Sequence, residues 1–496
     1  MPDLPAPYDL IIVGLGPVGL FAANVFGQKG WKVLAIEQHQ KAWPYPRAIA
    51  MDDEVLRAIQ SVDLLEVFQT QTRSIQGLQF LHRENEAFFT TAHHLEGDFS
   101  KGPYLFYQPE LEAILKKGTQ RFPNVTLQWG TRLDSFEAQA NRPVLCHLSR
   151  PSGEKSQVFC SYLLGCDGAN STVRKRLNIQ ENNLNYEGHI LKIDAQVKDA
   201  NLLSFKADYA QKYCSPSRPW VRMRGKGQHC RWEFQFKDHE VENLEQVETD
   251  GLRLIQQTGE NIDNIELIHS SYYRYRSVVQ QTWRKGKVMI AGDAAHLTPP
   301  YIGQGMCSGF RDIVNLSWKL EAIHKQTCSE TLLDTYDSER IPHMTEFIKL
   351  AILVGRVFKT RWYYLLFLLS RLPFIGQYAR QFNPKNPRLG LGCFSQLKTA
   401  RCLFPQFYFH TEADTTVKSD DYIGPNWTFL SIKQLPKVQQ SAAQQAGIPI
   451  LYLDPKLDKH SVLHTWFRRH QVSIILLRPD KYCFGGGHSL PRILQA

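Results

Sequence analysis

One stretch of this 496-residue chain constrains its fold more than any other: YDLIIVGLGPVGLFAANVFGQKGWKVLAIEQ, Tyr8 to Gln38. An apolar run, Leu10 to Val13, reads as a buried strand and leads straight into Gly14, Gly16 and Gly19 at G-x-G-x-x-G spacing. A helix should follow, then a second strand from Val33 to Ile36 that ends at Glu37, 18 residues after Gly19. This pattern predicts a Rossmann-type β-α-β unit. Gly14 would make the tight turn, Gly16 would let a pyrophosphate approach the backbone, and Gly19 would let helix and strand pack closely. Pro17 and Val18 open the helix, whose unpaired N–H groups and positive dipole end suit an anion. Glu37 would accept hydrogen bonds from ribose hydroxyls. The residues predict a site for an ADP moiety and leave FAD and NAD both open.

Two later segments repeat the theme of a strand that ends in an acid. SYLLGCDGANSTVRKRL, Ser161 to Leu177, is apolar up to Asp167 and Gly168 and then starts a helix. GKVMIAGDAAHLTPPYIGQGM, Gly286 to Met306, runs a strand (Val288 to Ala291) into Gly292 and Asp293, then His296, Pro299, Pro300, Gly303 and Gly305. A strand end followed by a glycine-rich turn is where α/β proteins place ligands. An NAD-linked dehydrogenase would need only the first segment. A ligand that extends past its pyrophosphate needs more anchor points.

Composition removes other classes. The ten cysteines include no C-x-x-C pair and no cluster at zinc-ligand spacing, so no metal site is expected and a reducing cytoplasm is. The N-terminal residues lack a basic and then apolar leader. The most apolar run, WYYLLFLLS from Trp362 to Ser370, is far short of the ~20 residues that span a bilayer, and a buried helix is expected there. The net charge of +10 comes from Lys and Arg spread along the chain rather than blocked together, which argues for small anionic ligands and against nucleic acid.

In their order along the chain, the three motifs resemble those of the single-component FAD-dependent aromatic hydroxylases, the p-hydroxybenzoate and phenol hydroxylase group. PRAIAMDDEVLRAIQ, CRWEFQF, GDAAHLTPPYIGQGMCSGFRDIVNLSWKL and LLRPDKYCFG look most like the 3-(3-hydroxyphenyl)propionate hydroxylase subfamily. The likeness is strong over about residues 8–345 and loose beyond. It implies non-covalent FAD, NADH or NADPH as co-substrate, O2, and a phenolic acid hydroxylated through a flavin C4a-hydroperoxide. It also implies residue roles. Asp293 would hydrogen-bond a ribityl hydroxyl, and Asp167 with Gly168 would shape the cleft near the pyrophosphate. Arg47 would lie near the phosphates or the incoming nicotinamide. Gln108 would contact the cofactor, although the residues alone read as a helix cap before Pro109. Pro300, Gly303 and Gly305 would present backbone to the flavin edge, and a helix beginning near Met306 would aim its N–H groups at the pyrimidine end. His296 reads as structural. Two positions depart from the pattern: Gln38 stands where the family carries Arg, and Cys307 where it carries Asn. The lack of a second G-x-G-x-x-G fits a family in which NAD(P)H binds in a groove.

The expected fold is α/β: a Rossmann-like FAD-binding domain, an interleaved antiparallel-sheet substrate domain, and a small thioredoxin-like C-terminal domain. The FAD-binding parts are expected at 1–180 (with 73–100 joining the substrate sheet) and 277–385, the substrate domain at 181–276, and the tail at 386–496. In the substrate sheet, Trp232 and Phe234 share one face by alternation and are candidates to lie over the aromatic; Arg222 is a candidate for a substrate carboxylate. Plain core packing and a solvated Arg are the alternatives. The tail, without C-x-x-C, is expected to pack or to form a homodimer interface. A flavin dehydrogenase or oxidase that transfers no oxygen, and an FAD-binding regulatory protein, remain open on the residues alone.

Overall fold

A computed structural model describes residues 7–83, 86–92, 103–139, 142–205, 208–237, 240, 247–359, 362–372, 386–410, 416–454 and 462–495. They form two compact units, one of residues up to 313 with 344–372, the other of 314–343 with 386–495. The second unit therefore takes in residues 314–343, well before the expected boundary at 386.

The first unit is organised on a sheet whose parallel strands run in the order Val288–Ile290, Lys155–Gly165, Tyr8–Val13, Val33–Glu37, Val125–Trp129. Leu10 to Val13, Val33 to Ile36 and Val288 to Ile290 are all buried, as strands covered on both faces must be. Register brings the carboxyl ends level: Val13 faces Gly165 on one side and Ile36 on the other, and Gly165 faces Ile290. The three loops carrying Gly14–Gly19, Asp167 and Asp293 therefore leave the same edge of the sheet.

A second, seven-stranded sheet in the same unit runs Ile265–Tyr275, Gly188–Val197, His229–Phe236, Trp220–Arg224, Tyr209–Tyr213, Gly77–Arg83, Glu86–Ala92. It is antiparallel except between Tyr209–Tyr213 and Gly77–Arg83. Its outer face carries Leu191, Ile193, Trp232 and Phe234, packed with Leu254 and Ile255 of the helix Val247–Gln257. Its inner face carries Ile190, Ala210, Val221, Met223 and Phe80, packed with Ile49, Tyr301 and Phe358.

In the second unit, strands Ile450–Tyr452, Thr428–Ser431, Ile474–Leu477 and Cys483–Gly487 lie side by side in that order. The first pair is parallel and the others antiparallel. Helices Lys437–Gln445, Val462–His470 and Leu490–Leu494 accompany this sheet in a small α/β layer. The expectation for WYYLLFLLS is half corrected. It is a helix, but of its described side chains Tyr363 and Phe367 are buried while Tyr364, Leu365, Leu366 and Leu368 are exposed. No helix among the described residues is long and apolar enough to cross a membrane.

Candidate active site

The glycine loop has the geometry its spacing demands. Gly14 adopts φ +103°, and a Cβ there would sit 2.4 Å from the Cys166 carbonyl oxygen; one at Gly19 would lie 1.9 Å from the Gly14 oxygen. Neither position tolerates a side chain. Gly16 is different, because a Cβ there would meet no protein atom within 4 Å. It caps the helix Pro17–Gln28 with no side-chain hydrogen bond, and no acid sits in the first turn. The first N–H groups of that helix are thus left for an external anion. Glu37 reaches back over the loop: one carboxylate oxygen accepts from Leu15 N at 3.1 Å and the other from His39 N at 3.0 Å. Two oxygens carry about four acceptor sites, so capacity remains for ribose hydroxyls. Gln38 is exposed beside it.

The other two loops are braced against each other. Asp167 accepts from Thr172 N at 2.6 Å and Val173 N at 3.1 Å, capping the helix Thr172–Arg176. Its second oxygen is buried and receives no hydrogen bond from the described residues; burial raises its pKa. Gly168 follows at φ +75°. Arg174 donates to the carbonyls of Ala169 (2.6 Å) and Ala294 (3.0 Å), tying the Asp167 loop to the Asp293 loop. Asp312, on the helix Gln304–His324, accepts from Gly292 N at 2.9 Å and lies 2.8 Å from His296 Nε2. His296 is fully buried and so holds the turn, as expected. Asp293 makes no such contact. It stays open to solvent while protein crowds round it closely enough for desolvation to raise its pKa, with His296 and Arg47 pulling the other way. It lines a recess.

The loop after Asp293 folds as a short 3₁₀ turn, Pro300–Ile302, closed by Gly303 at φ +67°. The helix begins at Gln304, two residues earlier than the sequence pattern indicates. Pro300, Gly303, Gly305 and Met306 are half-buried, so this stretch of the loop stays partly accessible. Cys307 is buried and its thiol faces the Gly303 carbonyl at 3.4 Å, a contact internal to the turn.

Gln108 is not a helix cap. Its side-chain oxygen accepts from Arg47 N at 3.0 Å and Ala48 N at 2.7 Å, and its amide donates to Glu112 at 2.7 Å. It therefore positions the segment carrying Arg47, whose side chain is exposed. From the other side Arg231 donates to the carbonyls of Arg47 (2.9 Å) and Pro46 (3.1 Å), and Lys192 to Pro46 at 2.5 Å. Arg231 also grips Asp194 through two bonds of 2.8 and 3.0 Å. Burial works against the charge of Asp194, but this guanidinium holds its pKa down at about 2.

These contacts correct the substrate-face expectation. Trp232 and Phe234, 0% and 2% exposed, belong to the outer face and its core. Arg222, 2% exposed, pairs across from Trp232 and shares that face, where it is committed to Glu260, Ser204, Gln211 and Tyr213. The side that meets residues 46–48 and Tyr301 is one residue over, with Arg231, Glu233 and Gln235. Alternation identified the strand, but which face it buries depends on the helix Val247–Gln257 packing on the other side.

Tyr301 is the residue that sequence reasoning passed over. Its hydroxyl accepts from Gln235 Nε2 at 2.5 Å and lies 2.7 Å from the Tyr275 hydroxyl, which in turn accepts from Lys359 at 2.5 Å. Lys212 donates to its carbonyl. The tyrosine ring of Tyr186 packs edge-on at 6.2 Å. Burial raises the pKa of Tyr301 and Tyr186, so both stay neutral. The signal was there in the P-P-Y-I-G run, but the glycines and prolines drew the attention.

Together, an uncapped helix N-terminus beside Gly16, the Glu37 carboxylate, the partnerless oxygen of Asp167 and the accessible Asp293 form one edge that fits an extended dinucleotide. The comparisons agree. Residues 7–351 match the model of a family described as FAD binding domain. The chain is 30% identical over 512 aligned residues to the 3-(3-hydroxy-phenyl)propionate/3-hydroxycinnamic acid hydroxylase of Escherichia coli O139:H28, covering 96% of this chain and 91% of that one. The figures are the same for the enzyme of that name from Shigella sonnei. Among solved structures, the flavin-dependent monooxygenase PieE with FAD and substrate superposes with TM-score 0.79 at 18% identity, over 99% of this chain and 100% of that one. Aklavinone-11 hydroxylase with FAD and aklavinone gives 0.75 at 21%, over 100% and 98%. The chain belongs to this FAD-binding family and is an FAD-dependent aromatic hydroxylase.

Proposed function

We propose that the enzyme hydroxylates a phenolic acid of the 3-hydroxyphenylpropionate or 3-hydroxycinnamate type, consuming NAD(P)H and O2 and releasing NAD(P)+ and water. The observation that carries this reading is the meeting of the Asp293 loop with the inner face of the seven-stranded sheet at Tyr301. There the rings of Tyr186, Tyr275 and Tyr301 gather beside the backbone that would border the isoalloxazine. Bound FAD supplies hydride acceptance and oxygen activation. In this reading the chain does the remainder. Gly16 and the following N–H groups hold the pyrophosphate, Glu37 the ribose, and Asp293 the ribityl chain. Pro300, Gly303 and Gly305 shape the flavin edge. Apolar groups of the inner face (Ile190, Val221, Met223) exclude water, which keeps reducing equivalents from being lost as peroxide. In this reading Tyr301, bonded to Tyr275 at 2.7 Å, is the one of the twenty tyrosines that would hydrogen-bond a substrate hydroxyl.

The test is a panel of phenolic acids, each with NADH or NADPH under ¹⁸O2. The reading predicts that a hydroxyphenylpropionate or cinnamate accelerates nicotinamide oxidation and gives product carrying one ¹⁸O atom. Turnover without label in the product would establish a dehydrogenase or oxidase instead.

A further inference from the structure

We propose that Lys212 receives the carboxylate of the aromatic substrate, so that the enzyme selects acids over their neutral analogues. This rests on the reading above and names the group that would make the selection.

Lys212 lies on the inner face of the seven-stranded sheet and is 6% exposed. Register surrounds it with apolar neighbours: Phe80 faces it on one adjacent strand and Val221 on the other. Ala210 on its own strand and Cys214 just past the strand's end, each two residues away, are buried in the same cluster. Its ammonium stands 5.7 Å from the Phe80 ring centroid and donates to the Tyr301 carbonyl. Among the described residues it has no ion pair. An ammonium has three donors, and one neutral carbonyl with one aromatic face is little compensation for removing a charge from water.

The other charges of this face are already matched. Asp194 is shared by Arg231, His229 and Lys192. Glu233 stands 3.7 Å from Arg231. Glu233 faces Val221, which faces Lys212, so the acid sits two strands from the lysine; its charge favours the ammonium, but the two form no ion pair. The buried cations Lys192, Arg231 and Lys212 outnumber the acids Asp194 and Glu233 by one, and Lys212 is the cation without an acid in contact. A carboxylate entering beneath the sheet would restore the balance, with its ring left among Phe80, Val221, Met223 and Tyr301. Burial lowers the lysine's pKa to about 8, which an arriving anion would reverse.

The experiment compares 3-(3-hydroxyphenyl)propionate with its carboxamide, reading affinity from the perturbation of the flavin absorbance and KM from turnover. A buried charge-assisted hydrogen bond predicts that wild type favours the acid by about 10- to 100-fold. Lys212→Gln, which keeps a donor for the Tyr301 carbonyl, should bring that ratio close to one, and Lys212→Arg should keep most of it. If Lys212→Gln does not retain FAD, Lys212→Met is read in the same way. An acid preference undiminished in the neutral variant, or no preference in wild type, overturns the proposal. If neither compound perturbs the wild-type flavin or accelerates NAD(P)H oxidation, the substrate reading itself is overturned, and that result is distinct from loss of the ratio alone.

Discussion

At the scale of residues, the cofactor edge separates groups that build the loops from groups left to the ligand. Gly14 and Gly19 are fixed by backbone contacts, Asp312 and Arg174 by the turns they brace, and Gln108 by residues 47–48. Asp293 is bonded to none of these. Asp293→Ala should therefore leave the thermal midpoint of the apoprotein nearly unchanged while weakening FAD binding by about 10- to 100-fold, the worth of a charge-assisted hydrogen bond; flavin fluorescence quenching measures it. Gly19→Ala should behave in the opposite way, because its methyl would overlap the Gly14 carbonyl. It should lower the melting temperature of the apoprotein itself, by several degrees or more. The same scale shows what a sequence conveys and what it withholds. The glycines were legible because only one residue type fits such backbone. Trp232, Phe234 and Arg222 were misplaced because alternation fixes that two faces exist and says nothing about which one a distant helix will cover. Lys212 gave no signal, since its burial depends on Phe80 and Tyr301, remote in sequence.

At the scale of elements, the second unit is held by a charged staple. Arg478 of the LLRPDKYCFG run donates to both oxygens of Glu339 at 2.9 Å and pairs with Asp480, all three buried. Lys319 adds a bond of 2.9 Å to Glu339. Arg478→Met would leave Asp480 without its cation and Glu339 with Lys319 alone, and should cost about 3–5 kcal/mol by denaturant titration. Burial opposes the charge on Glu339, yet Arg478 and Lys319 bring its pKa to about 2 against a usual 4.5. Its contribution is accordingly complete above pH 4.5 and is lost as acidification proceeds through pH 2, so the denaturation midpoint should fall steeply over that window in wild type and less in Glu339→Gln. A tail beginning near 386 was the natural reading of the sequence. The boundary falls elsewhere because Glu339 and Lys319, on helices earlier in the chain, join Arg478 of a turn that follows much later, a pairing that no local pattern announces.

At the scale of the whole molecule, parallel register does most to produce function. Val13, Gly165 and Ile290 finish level, so motifs separated by more than a hundred residues open onto one edge. That convergence was legible, because strand-glycine-acid patterns recur three times and a parallel sheet leaves their loops no other edge. The proposed substrate face was less so, because the sheet that forms it draws on strands as far apart as Gly77–Arg83 and Ile265–Tyr275. The most direct test of convergence is the FAD content of the purified chain, measured by absorbance after denaturation and after reconstitution. One FAD per chain, reduced to a small fraction by Gly16→Asp, which would set a carboxylate where the pyrophosphate is proposed to sit, is the predicted result. A chain that remains colourless after reconstitution, or a Gly16→Asp variant that keeps its full complement of flavin, would contradict it.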